Sequence, residues 1–124
     1  MNTKDFARRI VELILSKKGF DIKILDLREL TPIADFFVLA SADSHIQVKA
    51  IADEVDDKLR KIGIKCYFKE GYDAANWILL DYFDVVVHIF KSDARDFYNL
   101  EKLWGDAPVE IIEDDLENNN TDSE

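Results

Sequence analysis

The chain has little cysteine, proline or glycine: one, two and four residues respectively among 124. A single thiol, Cys66, can form no internal disulfide and completes no cysteine metal cluster, which fits a reducing compartment. No two of the four glycines lie within five residues of each other, and Gly-Lys-Ser/Thr is absent. The glycine-rich loops that wrap phosphate groups are therefore missing. No apolar run approaches the ~20 residues a bilayer span requires. Met1-Asn2-Thr3-Lys4-Asp5 leads into an amphipathic segment carrying Glu12, without the apolar stretch of a secretion signal. It also lacks the Arg- and Ser-rich, acid-poor character of an organelle leader. A cytoplasmic protein is expected.

Bases are scarce in two places. Residues 110–124 hold seven acids and no base, so most of the net charge of −10 sits there. What remains is 16 bases against 19 acids over residues 1–109. The strongly acidic end includes Asn118-Asn119-Asn120 and has too little apolar surface to order itself. The expected division is a folded domain over 1–107 and a disordered acidic tail over 108–124. Residues 70–89 contain four acids, Glu70, Asp73, Asp81 and Asp84, and no Lys or Arg. Such a surface repels phosphate, so direct nucleic-acid binding, DNA included, is not expected there, whereas a basic protein partner is.

The hydrophobic pattern supplies the elements. Thr3 is placed to cap a first helix with Phe6, Ile10, Leu13 and Ile14 on one side and Gly19 past its end. Strands are expected over 20–27 and 35–40, separated by a connection containing Pro32. Ser44 and Gln47 form a capping box for a second helix, along which Val48, Ile51, Val55, Leu59 and Ile62 repeat. A short strand is expected over 64–68. Two apolar runs, 77–80 and 85–90, are joined by Asp81-Tyr82-Phe83-Asp84 and read as a hairpin covered on both faces. Ser92 or Asp93 can cap a final helical pair with Phe97, Leu100, Leu103 and Trp104 on one side. This order predicts a single α/β domain, a mixed sheet of about five strands packed with helices.

Few residues suggest chemistry. Asp81 and Asp84 could converge on a cation, but no third ligand stands at a recognisable spacing, and a turn stabilised by Asp hydrogen bonds fits better. His88 alternates with Val86 and Phe90 and reads as a packed, hydrogen-bonded histidine rather than a base. His45 lies in the first turn of a helix, exposed. Cys66 has no partner that would activate it. No cofactor or metal is expected, and no enzyme. If Trp77, Leu79 and Asp81 alternate onto one face, that face joins a large aromatic, an aliphatic and an acid, as protein-binding hot spots do.

Six blocks, in order, carry a resemblance: Leu25-Asp26-Leu27-Arg28; Ile33-Ala34-Asp35-Phe36-Phe37-Val38; Ser44 with Gln47-Val48-Lys49-Ala50-Ile51-Ala52; Glu70-Gly71; Trp77-Ile78-Leu79-Leu80-Asp81-Tyr82 with Val86-Val87-His88-Ile89-Phe90; and Arg95-Asp96-Phe97-Tyr98-Asn99-Leu100-Glu101-Lys102-Leu103-Trp104. Together they resemble the ribosomal silencing factor, or Iojap-related, family from the first helix to Trp104. The resemblance implies a nucleotidyltransferase-like topology without catalysis; the Gly-Ser and spaced carboxylates of such enzymes are missing, with Ala42-Asp43-Ser44 near the comparable turn. It also implies binding to the large ribosomal subunit through its basic ribosomal protein number fourteen. Occupying that surface would keep the small subunit from joining and repress translation under nutrient limitation. Trp77, Leu79, Asp81 and Tyr82 are then expected at the contact centre, with Asp84 and Glu70 adding charge complementarity. His88, Arg95, Tyr98, Glu101 and Trp104 match family positions and are expected to brace the hairpin against the last helices. Two rival readings remain: a nucleotidyltransferase-like enzyme, and a dimeric scaffold using the same apolar face on itself.

Overall fold

A computed structural model describes residues 2–113. A six-stranded mixed sheet in the order β3-β4-β5-β2-β1-β6 forms its centre. The first helix, α1 (Thr3–Ser16), is capped by Asn2 rather than Thr3, the Asn2 side chain accepting from the Asp5 N–H. Lys18, not the following glycine, takes the left-handed turn that ends it (φ 66°). Gly19 is needed for space instead, since a Cβ there would run into the Ile14 side chain. Next come β1 (Phe20–Asp26) and β2 (Phe36–Ala42), paired antiparallel with a bulge between Phe20 and Lys23.

Ser44 caps α2 (His45–Lys61) as its spacing predicts, accepting from the Gln47 N–H at 3.1 Å. The Gln47 side chain reaches back one residue further than a capping box requires, accepting from the Asp43 N–H. Its amide also donates to the carbonyls of Lys17 and Lys18, tying α2 to the end of α1. The third strand, β3, lies at Phe68–Glu70, later than the 64–68 expected; residues 62–67 connect it to α2. Gly71 makes the turn into β4 (Trp77–Asp81) with φ +82°, where a Cβ would strike the Trp77 carbonyl. The hairpin partner β5 (Val85–Lys91) pairs antiparallel with β4 and parallel with β2. It lies at the middle of the sheet and is buried on both faces, as the sequence implies. Strand β4 is not: Ile78 and Leu80 are buried, whereas Trp77, Leu79 and Asp81 are only half-buried.

Beyond β5 the chain runs directly into α3 (Ser92–Tyr98), whose N-cap position is Lys91, with no side-chain cap. Asn99 (φ 49°) breaks the helix, and its side chain caps the single turn of α4 (Leu100–Leu103) by accepting from the Lys102 N–H. That break ends the one-sided pattern read from sequence. Leu100 is buried and Trp104 half-buried, but Leu103 is 72% exposed; the Phe97 side chain lies outside the described residues. The chain ends its described part with β6 (Val109–Ile112), an antiparallel edge strand on β1. This strand is the sixth, where five were expected, and it lies past the predicted boundary at 107. Acid counting hid it: Ile112 packs against the core, and Glu110 is held by Lys4 at 3.1 Å and Arg8 at 3.2 Å. Residues 114–124 of the acidic tail lie outside the described residues.

The sheet separates two apolar clusters. Under α1 and α2 lie Ile22, Ile24, Phe36, Val38, Ile78, Leu80, Val87 and Ile89, with Ile10, Ile14, Ile51, Val55 and Leu59 from the helices. On the opposite face, Leu25, Phe37, Leu39, Val86 and Phe90 meet Leu100 and Ala107, with Trp77, Leu79 and Trp104 at their margin.

Candidate functional site: the aromatic face of the sheet

Alternation along the strands determines which predicted residues meet. Trp77, Leu79 and Asp81 share the face away from α1 and α2. The β3–β4 register sets Glu70 beside Leu79 and Phe68 beside Asp81. Five side chains thus line one flank of the sheet: Trp77, Leu79, Asp81, Glu70 and Phe68. Glu70 is exposed, and Phe68 is 55% exposed. Phe68 was not among the residues anticipated. Its signal was the alternation of 68 with 70, obscured because the short strand was expected to end there.

Tyr82 does not belong to this group. By the same alternation it falls with Ile78 and Leu80 on the helix side, where it is buried edge-on against Phe6 at 5.8 Å. Burial pushes its phenol well above the usual tyrosine range, and its hydroxyl has no hydrogen-bond partner among the described residues. Asp84 also lies apart from Trp77. It is exposed, lines a cleft of about 210 Å³ with Asn2, Thr3, Phe6, Ile64 and Tyr82, and its carbonyl accepts from the N–H groups of Asp35 and Phe36. Asp81 serves the turn, its Oδ1 accepting from the Phe83 N–H at 2.8 Å. That bond supports Phe83 in a left-handed conformation (φ 78°), unfavourable for an aromatic residue unless otherwise held.

Behind the flank stands a continuous aromatic wall. The Trp77 ring packs on Tyr98 at 4.6 Å, on Phe90 at 5.2 Å and on His88 at 5.8 Å. His88 lies 4.5 Å from Phe37, and Phe37 meets Trp104 edge-on at 5.9 Å. The Trp77 Nε1–H donates to His88 Nδ1 at 3.0 Å, which puts the proton of a neutral imidazole on Nε2. Burial holds the His88 ring down to about 3, so it is uncharged at neutral pH. It is a packed histidine bonded to the tryptophan, and Nε2 finds no partner among the described residues.

The last helices are fixed by one buried charge. Arg95, on α3, donates to Ser41 Oγ at 2.8 Å and to the Asp21 carbonyl, which the β1 bulge turns toward it (Asp21 φ 52°). Its other nitrogen meets Glu101 at 3.1 Å, and Lys23 meets the same carboxylate at 3.0 Å. These two bases hold the Glu101 carboxyl below its ordinary range against the opposing effect of burial. Tyr98, Arg95, Glu101 and Trp104 therefore connect α3 and α4 to β1, β2, β4 and β5. They position the hairpin face; none of them lies on the open flank beside Glu70.

This arrangement defines a class: an α/β domain with one closed face and one aromatic face, partly capped by short helices and acidic along its flank. Over residues 1–124 the chain matches the model of the family described as ribosomal silencing factor during starvation. It is 43% identical to the ribosomal silencing factor RsfS of Bacillus subtilis, across 88% of this chain and 92% of that protein. It is 40% identical to the chloroplastic protein Iojap of Zea mays, across 86% of this chain and 46% of that longer protein. A crystal structure of a Chromobacterium violaceum protein superposes with a TM-score of 0.82 at 37% identity, covering 85% of this chain and 88% of the other. The chain belongs to the ribosomal silencing factor family.

Proposed function

We propose that the protein binds the large ribosomal subunit through ribosomal protein number fourteen and thereby blocks joining of the small subunit. Translation falls when nutrients are limiting; the family's description, naming starvation, supports this setting. The action is steric and takes place in the cytoplasm, with no bond made or broken. One observation carries the reading: Trp77 and Leu79 lie half-buried on a flank completed by Phe68, Glu70 and Asp81, without a lysine or arginine between residues 70 and 89. Apolar anchors beside carboxylates suit a basic protein surface, the acids speeding encounter and the anchors supplying affinity.

Leu79 tests this better than Trp77, because Trp77 also supports the aromatic wall. Leu79→Arg places a charge on the flank; Leu79 stands opposite His88 in the β4–β5 register but takes no part in the Trp77–His88 hydrogen bond. The substitution is expected to abolish co-sedimentation with purified large subunits while the protein stays folded. A folded Leu79→Arg protein that still pellets fully with large subunits would overturn the placement of the contact. Sizing by light scattering, with and without subunits, separates ribosome binding from self-association through the same flank.

A further inference from the structure

The acidic stretch 70–89 is preceded by its opposite. Residues 58–69 carry five bases, Lys58, Arg60, Lys61, Lys65 and Lys69, and no acid. The chain folds this stretch into the last turn of α2, the connection after it and β3, at one end of the sheet. Three aromatic rings project there with no core to enter. Tyr67 is 74% exposed, Phe83 66% and Phe68 55%, and the Tyr67 and Phe83 rings pack on each other at 5.5 Å. Between bases and rings lies a cleft of about 380 Å³ lined by Asp56, Arg60, Lys65, Cys66, Tyr67, Phe68 and Lys69, within the span of ligand clefts (roughly 300–1,000 Å³).

The surplus positive charge lies on the side of Lys61 and Lys65. Asp56 is buried, taking Arg60 at 2.6 Å and Lys69 at 3.2 Å on one oxygen, and Asp57 lies 3.7 Å from Arg60. Lys58 is matched by Glu54. Lys61 and Lys65 have no ion-pair partner among the described residues, and both are exposed. Asp81 stands opposite Phe68 in the strand register, its carbonyl accepting from the Tyr67 N–H, and so bounds the patch on the Phe68 side; Asp84 lies at the separate cleft beside Phe6 and Tyr82. Exposed rings interleaved with bases are the surface that single strands use, the rings stacking bases and the ammonium groups pairing phosphates. An acidic protein could also cover the rings, but a single strand supplies the anionic groups and the flat stacking faces together at this spacing.

We propose that this end of the sheet binds an unpaired RNA strand, with phosphates on Lys61, Lys65 and Arg60 and a base against Tyr67. This extends the ribosome-binding reading, since it gives the protein a second hold next to a protein contact on the neighbouring flank. It does not depend on which ribosomal protein is bound.

The test is fluorescence anisotropy of a labelled single-stranded RNA of about twelve nucleotides, titrated with the full chain at low salt. Binding is expected and should weaken roughly 20-fold between about 50 and 200 mM salt if about three phosphates are engaged. Lys61→Glu with Lys65→Glu should weaken it at least about tenfold. Tyr67→Ala should do so by about tenfold, and Tyr67→Phe, which keeps the ring, should not. Lys102→Glu, a single charge reversal on α4 across the sheet, should leave binding unchanged. Leu79→Ser, which removes the apolar anchor without adding charge, should also leave it unchanged, so loss of the protein contact and loss of the RNA contact are read separately. No binding at low salt, binding indifferent to the Lys61, Lys65 and Tyr67 substitutions, or equal affinity for an RNA duplex or for guanosine monophosphate alone would each overturn the proposal.

Discussion

Ile78 and Leu79 are adjacent residues of one strand, yet they lie in different environments. Ile78 points under α1 and α2, where β1, β2, β4 and β5 bring Ile22, Ile24, Phe36, Val38, Leu80, Val87 and Ile89 together, almost fully removed from water. Leu79 points to the face where the same strands present Lys23, Ser41 and His88, and where two short helices give partial cover. The first face needs only volume and complementarity. The second is organised by named hydrogen bonds, Trp77 to His88 and Arg95 to Ser41 and Asp21, that fix where its rings stand. One face holds the fold together; the other holds a surface in place.

Substitutions on the two faces should separate these roles. Ile78→Ala removes a fully buried side chain and should cost about 3–4 kcal/mol in urea unfolding, whereas Leu79→Ala should cost about 1 kcal/mol and act on ribosome binding instead. Equal costs for the neighbours would erase the distinction. Arg95→Met takes the charge from a buried site and leaves Ser41 and the Asp21 carbonyl unpaired. About 3 kcal/mol of stability should be lost, with faster hydrogen exchange in α3 and α4 before the rest of the chain.

Trp77→Phe keeps an aromatic ring but deletes the donor to His88 Nδ1. A loss of about 1–2 kcal/mol is expected from thermal unfolding, so some weakening of binding by Trp77 variants reflects disturbance of the wall. The effect that accumulates most gradually is the pH dependence. His88 stays neutral in the folded chain down to about 3 but takes up a proton near 6.5 when unfolded. The unfolded state therefore binds the extra proton between these values, and stability falls as pH drops through that window, by at most about 1.4 kcal/mol per pH unit. Above 6.5 the term vanishes. His88→Phe should flatten the measured slope between pH 6.5 and 5; an unchanged slope would mean that His88 is already charged in the native protein.

The sequence made much of the closed face legible, because periodicity reports burial directly. Apart from Ile62, which ends α2 and is exposed, the α1 and α2 core residues, the Ser44 cap and the β4–β5 hairpin fall where their spacing puts them. Errors arose where one local signal was carried too far. Tyr82 was grouped with Trp77, Leu79 and Asp81 although strand alternation assigns it to the opposite side, with Ile78 and Leu80. Spacing puts Leu103 on one side of the final helical pair with Leu100 and Trp104, but the left-handed break at Asn99 turns α4 so that Leu103 is exposed. The β6 strand was lost in an acidic tail because composition does not register that Glu110 meets Lys4 and Arg8 a hundred residues away. Likewise, no spacing rule announces that Arg95 will reach the bulge in β1. Long-range pairing of this kind is a property of the folded chain, and the polar parts of the aromatic face depend on it.

The central claim is that the flank around Leu79 keeps the ribosomal subunits apart, and a subunit-association assay reaches it most directly. Purified protein is added to large subunits, small subunits follow, and the joined ribosome is measured by light scattering or on a sucrose gradient. The native chain should reduce the joined fraction in proportion to its occupancy of large subunits, and Leu79→Arg should restore it. Undiminished joining at saturating native protein would contradict the account.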